Sequence, residues 1–301
     1  MSQSLRSITV AVCLVMLVAL GSRARAQSQA TCKFNFFRVA PSDPNDPSNP
    51  GITRPLGVND FGTVVGDTTP FNSQRTSGFI RFSGGGVSKF SAPNSIFTSI
   101  ADRNNSGISI GNFVSQSSAA HSKGFVLTGS SFTSFTHPKS VQGTILNGIN
   151  KFNSIVGFYL DGSSVAHGFK KIGNTFLPIQ FPGSQGTSPR SINDLGTIVG
   201  SYTKSSGGDH GFIFHNNQWA TLDLPNSQGT VLYGISNAGL VIGIRENPLD
   251  NRSFLFSNGV TKFINAPNAS STQISGISAG GIITGEALFS DGWSGFTATC
   301  K

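Results

Sequence analysis

The ten residues SINDLGTIVG, Ser191–Gly200, recur in altered form along the chain. Related versions stand at Gly57–Gly66 (GVNDFGTVVG), Asp102–Gly111 (DRNNSGISIG), Gly148–Gly157 (GINKFNSIVG), Gly234–Gly243 (GISNAGLVIG) and Gly276–Gly285 (GISAGGIITG). Their closing glycines are 45, 46, 43, 43 and 42 residues apart. A fixed period of this size marks a repeat architecture, in which copies of one small unit stack to bury faces that none can bury alone. Inside the motif, Asn193-Asp194-Leu195-Gly196 carries turn chemistry. Asn and Asp bond back to their own backbone, and Gly accepts the positive φ that other residues resist. The spacing predicts a hairpin: a seven-residue strand before the turn, such as Thr187–Asn193, and a short apolar strand after it.

Two further pieces complete the unit. One centres on a phenylalanine: Phe79, Phe125, Phe169, Phe212, Phe254 and Phe296, spaced 46, 44, 43, 42 and 42 residues apart. A glycine precedes it in five copies and Ser253 in the sixth. A small residue there lets a neighbouring backbone come close, and the ring is expected to fill the space between adjacent sheets. The other piece is an aromatic or aliphatic strand running to a proline: 89–93, Phe132–Pro138, Phe176–Pro182, Trp219–Pro225 and Val260–Pro267. Proline suits a strand end because it cannot donate to a ladder.

Six first strands therefore meet five complete fourth strands. The missing one is at the front, where Cys32–Pro41 (CKFNFFRVAP) has the fourth-strand pattern, while the chain ends after the third piece of the last copy. The expected fold is all-β: a six-bladed β-propeller of four-stranded blades, closed by the N-terminal strand pairing in the last blade. A solenoid would leave the two ends apart, and a sandwich would not keep six equal units.

The ends of the chain fit that picture. Residues 1–26 read as a secretory signal peptide, with Arg6, an apolar run of 13 residues at Ile8–Leu20, and Ala24-Arg25-Ala26 before a cleavage at Gln27. The run is shorter than the roughly 20 residues a membrane helix needs. Residues 27–301 would then form the six-repeat propeller domain, secreted to an extracellular or periplasmic space and without a membrane span. Cys13 leaves with the signal, so Cys32 and Cys300 remain, an even pair that in an oxidising compartment is expected to form a disulfide. Without Arg6, Arg23 and Arg25 the 21 basic residues fall to 18 against 13 acidic ones, a net of +5 scattered singly. No Lys/Arg cluster marks a nucleic-acid partner.

The hairpin motif resembles the extracellular HAF repeat family of bacterial exported proteins. The likeness rests on Gly-Ile-Asn-x-x-Gly-x-Ile-Val-Gly, approached at Gly148–Gly157 and at Ser191–Gly200, and on His-Gly-Phe at His167–Phe169 and His210–Phe212. It spans about residues 50–300. Units one, two, five and six depart from it, having no His before the Gly-Phe position. The resemblance implies export and a repeat fold, and brings no activity with it.

Candidate chemistry is sparse. The fourth residue of each first strand varies where its neighbours are small or apolar: Leu56, Ala101, Asn147, Arg190, Tyr233 and Ser275. In a propeller this strand borders the central axis. Arg190 offers a fork of donors, Tyr233 a flat face, and Asn147 both a donor and an acceptor, so these three form the candidate ligand site, for a glycan or a protein on the loop face. Solvated channel lining explains the same variation. His167 and His210 recur at one repeat position, which favours a structural role, each imidazole bridging to a neighbouring backbone carbonyl. With only Asp209 and His121 to add, no metal site or other cofactor is expected. The chain has two Glu, Glu246 and Glu286. Glu286 and Asp291, placed in one variable loop, form the alternative: an acid–base pair of a carbohydrate-active enzyme. No nucleophile elbow, zinc-protease motif or phosphate-cradling loop is present. The reading is thus a non-catalytic, monomeric binding or structural protein.

Overall fold

Each copy of the repeat folds into antiparallel strands in a computed structural model that describes residues 28–40, 51–71, 73–118, 121–248 and 250–301. The expected signal peptide, residues 1–26, lies outside the described residues. Unit four is representative: Gly186–Ile192, Ile198–Thr203, Asp209–His215 and Gln218–Leu222 pair in that order. Units one and four each make a four-stranded sheet of their own. Units two and three are linked into one eight-stranded sheet by a single parallel pairing of Gly143 with Ser122. The one helical element among the described residues is the 3₁₀ turn Gln116–Ser118, so the fold is an all-β propeller arrangement.

The last unit takes its fourth strand from the front of the chain. Cys32–Phe37 pairs antiparallel with Gly292–Cys300, and Cys32 stands opposite Cys300, to which it is disulfide-bonded. Just before it, Ser28–Gln29 runs parallel to Lys262 and Phe263 and adds a fifth strand to unit five. That strand has no counterpart in the repeat and is too short to register as a pattern. Contacts also join unit six to unit one: Ser275 donates to the carbonyl of Pro55 at 2.6 Å, and the backbone N–H of Gly280 to Asp60 at 2.6 Å.

The repeated phenylalanines form the core. Phe79, Phe125, Phe212, Phe254 and Phe296 are 0% exposed and Phe169 is 1%. The closing glycine of the hairpin exists for this ring. A Cβ on Gly200 would stand 2.9 Å from Phe212 and 2.2 Å from the carbonyl oxygen of Ser188, closer than real atoms approach. The glycine before Phe makes room for the next unit, since a Cβ on Gly211 would meet Leu232 at 2.9 Å. Ser253, the exception, uses its hydroxyl to reach that neighbour. It donates to the carbonyl of Thr272 and accepts from the N–H of Ile274.

Two polar devices repeat with the fold. The asparagine of the turn accepts from two of its own backbone N–H groups and donates to the turn of the next unit. Asn193 takes Leu195 N–H at 3.0 Å and Thr197 N–H at 2.9 Å, and gives to the Ser236 carbonyl at 3.0 Å. Asn104 and Asn150 make the same set. The threonine opening each first strand accepts the N–H of the residue before a proline: Ala92 on Thr98, His137 on Thr144, Phe181 on Thr187, Leu224 on Thr230 and Ala266 on Thr272. Ala40, which precedes Pro41, gives its N–H to Thr53 in the same way. The hydroxyl thus fastens the end of one sheet to the start of the next.

Candidate functional site

The varied fourth residue of each first strand owes its freedom to a β-bulge. In unit four Pro189 pairs with Gly200 and Ser191 with Val199, so Arg190 has no partner across the hairpin. The same shift skips Leu56, Ala101, Asn147, Tyr233 and Ser275. A bulge leaves its extra residue out of the ladder and re-aims the side chain. The residue after the bulge must be small. A Cβ on Gly148 would lie 2.9 Å from the Cα of Ser191 in the adjacent first strand, because these strands crowd together.

All six bulge residues line one cavity of about 160 Å³. Asn147, Arg190 and Tyr233 are therefore brought together, together with Leu56, Ala101 and Ser275. The Arg190 guanidinium lies over the Tyr233 ring, 5.1 Å from its centroid. The Arg190 Nε is buried with no hydrogen-bond partner, and Arg190 forms no ion pair among the described residues. Asn147 gives its amide N–H to the carbonyl of Pro189 at 2.8 Å, which ties the site across units three and four. A second, smaller space of about 40 Å³ follows along the same strands toward the turn asparagines. Asp102, Ser191 and Ile277 border both.

Asp102 was not among the expected site residues. It holds the post-bulge position that is Gly or Ser in the other units, and a carboxylate fits there because backbone donors receive it. Its Oδ1 accepts the N–H of Arg103 at 2.8 Å and its Oδ2 that of Ile149 at 3.0 Å. Burial still dominates and pushes its pKa up to about 6. The signal was present in the sequence as Asp-Arg-Asn where the repeat has Gly-Ile-Asn.

The two carboxylates of the enzyme alternative do not share a loop. Glu286 lies within the strand Ile283–Phe289, whereas Asp291 sits in the turn that follows and pairs with Arg38 at 3.0 Å. The strand extends further than the closing-glycine pattern implied because Ala287 and Leu288 continue the ladder against Ser294 and Trp293. Burial pushes the Glu286 carboxyl up to about 7; Arg54 pulls it down and Asp67 raises it. Asp67 itself is buried, accepting Arg54 Nε at 2.8 Å and the Ser99 hydroxyl at 2.9 Å.

The repeated histidines bind carboxylates rather than backbone carbonyls. His167 meets Asp161 at 2.8 Å and stacks on Tyr159; His210 meets Asp223 at 2.7 Å and stacks on Tyr202. Both aspartates lie on the same units as their histidines, Asp223 thirteen residues away, too far for a local pattern to show. Among the described residues no group of three or more His, Cys, Asp or Glu is arranged to hold a metal ion, and no helix is long and apolar enough to cross a membrane.

Comparison with known proteins gives likeness of fold. No protein-family model matches the chain, and no curated protein matches it. Among solved structures, the putative TolB from Agrobacterium tumefaciens is similar with a TM-score of 0.57 at 10% identity, over 84% of this chain and 91% of that one. The Hadza microbial sialidase Hz136 is similar with a TM-score of 0.52 at 8% identity, over 82% of this chain. This chain spans only 65% of that sialidase.

Proposed function

We propose that this chain is an exported six-bladed propeller, closed by its N-terminal strand, which binds a glycan without catalysis in the cavity at its axis. The observation that carries the binding reading is the convergence of all six bulge residues on one space. These are the positions where the repeat relaxes its demand for small or apolar residues. Unpaired donors, an aromatic face and room for more than one water give a site able to hold a small polar ligand. Six units of four strands, the pairing of Cys32–Phe37 with Gly292–Cys300, and the bonds from Ser275 and Gly280 to unit one support the closed ring. The disulfide supports an oxidising, exported setting. The hairpin motif supports counting the chain among HAF repeat proteins.

The test is a glycan array on the purified protein, followed by titration of each hit against Arg190→Ala and Tyr233→Ala. Loss of binding in both variants, with unchanged thermal unfolding, places the ligand in the axial cavity. Hits that survive both substitutions move the site elsewhere, and an array without hits removes the glycan reading. A second reading, polysaccharide cleavage, is favoured by one feature: Glu286, raised to about 7, facing buried Asp67 and Arg54. Turnover by the parent that Glu286→Gln abolishes would establish it.

A further inference from the structure

We propose that the axial cavity selects a sugar acid, the carboxylate seated on Arg190 and the ring hydroxyls directed toward Asp102. This rests on the binding reading above and narrows its ligand. Of the six bulge residues, Arg190 alone carries a charge, and it is the member whose needs the protein leaves unmet. Buried polar atoms are almost always partnered, so an orphan asks for a partner the chain does not supply. Nε is one of the two donors with which arginine grips a carboxylate side-on, the other being an Nη of the same fork. Arg245 shows the contrast. Its Nε is also orphaned, but its Nη2 already pairs with Asp250 and its guanidinium lies over Phe263. Arg190 has the Tyr233 ring beneath it and Glu246 within electrostatic reach, but neither gives its Nε a hydrogen bond, and it forms no ion pair among the described residues.

The rest of the wall decides what must be attached to that carboxylate. Asp102 lines the same cavity and accepts two backbone N–H bonds, so it adds a fixed acceptor to the wall that Arg190 also lines. A bare dianion such as phosphate would meet repulsion there. A singly charged acid that also carries hydroxyl donors meets a cation for its carboxylate and an acceptor for its hydroxyls. The space of about 160 Å³ is several times the ~30 Å³ of one water, enough for a small ring.

The experiment is calorimetric titration of the purified protein with glucuronate, glucose, acetate and inorganic phosphate, and with an oligosaccharide ending in glucuronate. Glucuronate or the oligosaccharide is expected to bind at least about tenfold more tightly than glucose, acetate or phosphate, a charge-assisted pair being worth that much. Binding of the free acid identifies a free sugar acid as ligand, and binding of the oligosaccharide alone identifies a glycan end. Arg190→Gln should erase the preference over glucose, and Arg190→Lys should restore part of it without the fork. Equal binding of glucuronate and glucose, or a preference that survives Arg190→Gln, overturns the proposal. If neutral glycans bind and Tyr233→Ala abolishes it, the acid specificity falls while the binding reading stands. If no saccharide binds, both fall.

Discussion

Asp102 concentrates the tension between the repeat and the site. Five units keep Gly or Ser at its position because neighbouring first strands almost touch there, yet a carboxylate persists by capturing the N–H groups of Arg103 and Ile149. Those bonds favour the ionised form, but burial outweighs them and the folded pKa stands near 6 against an ordinary 3.8. A group whose folded pKa is raised binds a proton that the unfolded chain has released. Its favourable contribution is full below about pH 4 and is lost as pH rises toward about 6. Replacing it with the isosteric amide removes that loss. The stability of Asp102→Asn relative to the parent should therefore climb by about 2 kcal/mol between pH 4 and pH 7, read from urea midpoints at each pH. A constant difference would show that the fold does not raise the Asp102 pKa. Asn193 is a simpler case. Three hydrogen bonds end on its side chain, so Asn193→Ala should cost about 2–4 kcal/mol. Unit five does with Ser236, whose hydroxyl accepts from Leu240 at 3.1 Å, so Asn193→Ser should cost less.

The hairpin of first and second strands is where sequence and structure agree most closely and also where the sequence is most silent. Its turn was legible because Asn-x-x-Gly is local chemistry; Gly196 indeed has φ of 80°, and in unit three Asn153 replaces the glycine at 60°. The buried phenylalanines were legible because a core position cannot change without cost. The bulge was not, because a skipped residue leaves no composition of its own; it showed only as a position that failed to repeat. That failure led to Arg190, Tyr233 and Asn147, but not to Asp102 one residue further on, which the repeat rule covers and this unit breaks. The threonine clamp was visible as a recurring letter, yet its partner lies across a loop that varies in sequence. It makes a direct prediction. Thr187→Val keeps the shape of the side chain but leaves the N–H of Phe181 without its partner and takes from the hydroxyl of Ser184 one of its hydrogen bonds, that to Phe181 remaining. A loss of about 1–3 kcal/mol is expected, with an unchanged denaturant slope, since the strand stays in place.

Closure of the proposed ring depends on two bonds of different kinds, and they can be separated. The disulfide joins residues 268 positions apart, so its removal frees the unfolded chain more than it disturbs the folded one. A Cys32→Ser, Cys300→Ser double variant should remain a propeller with near-native circular dichroism and lose about 2–5 kcal/mol. The strand pairing is the stronger constraint. Lys33, Phe34, Asn35, Phe36 and Phe37 pair with Thr299, Ala298, Thr297, Phe296 and Gly295, and Phe34 packs edge-on against buried Phe296 with ring centres 5.1 Å apart. Deleting residues 27–40 would leave Gly292–Cys300 as an open edge, uncover Phe296, and remove the N–H that Ala40 gives to Thr53. Exposed strand edges recruit other chains. The deletion should therefore aggregate or form dimers by edge pairing, seen by size-exclusion chromatography with light scattering, while the double serine variant should elute at the parent's position. If the shortened chain elutes and unfolds like the parent, the N-terminal strand is an accessory and the ring is held by its other contacts.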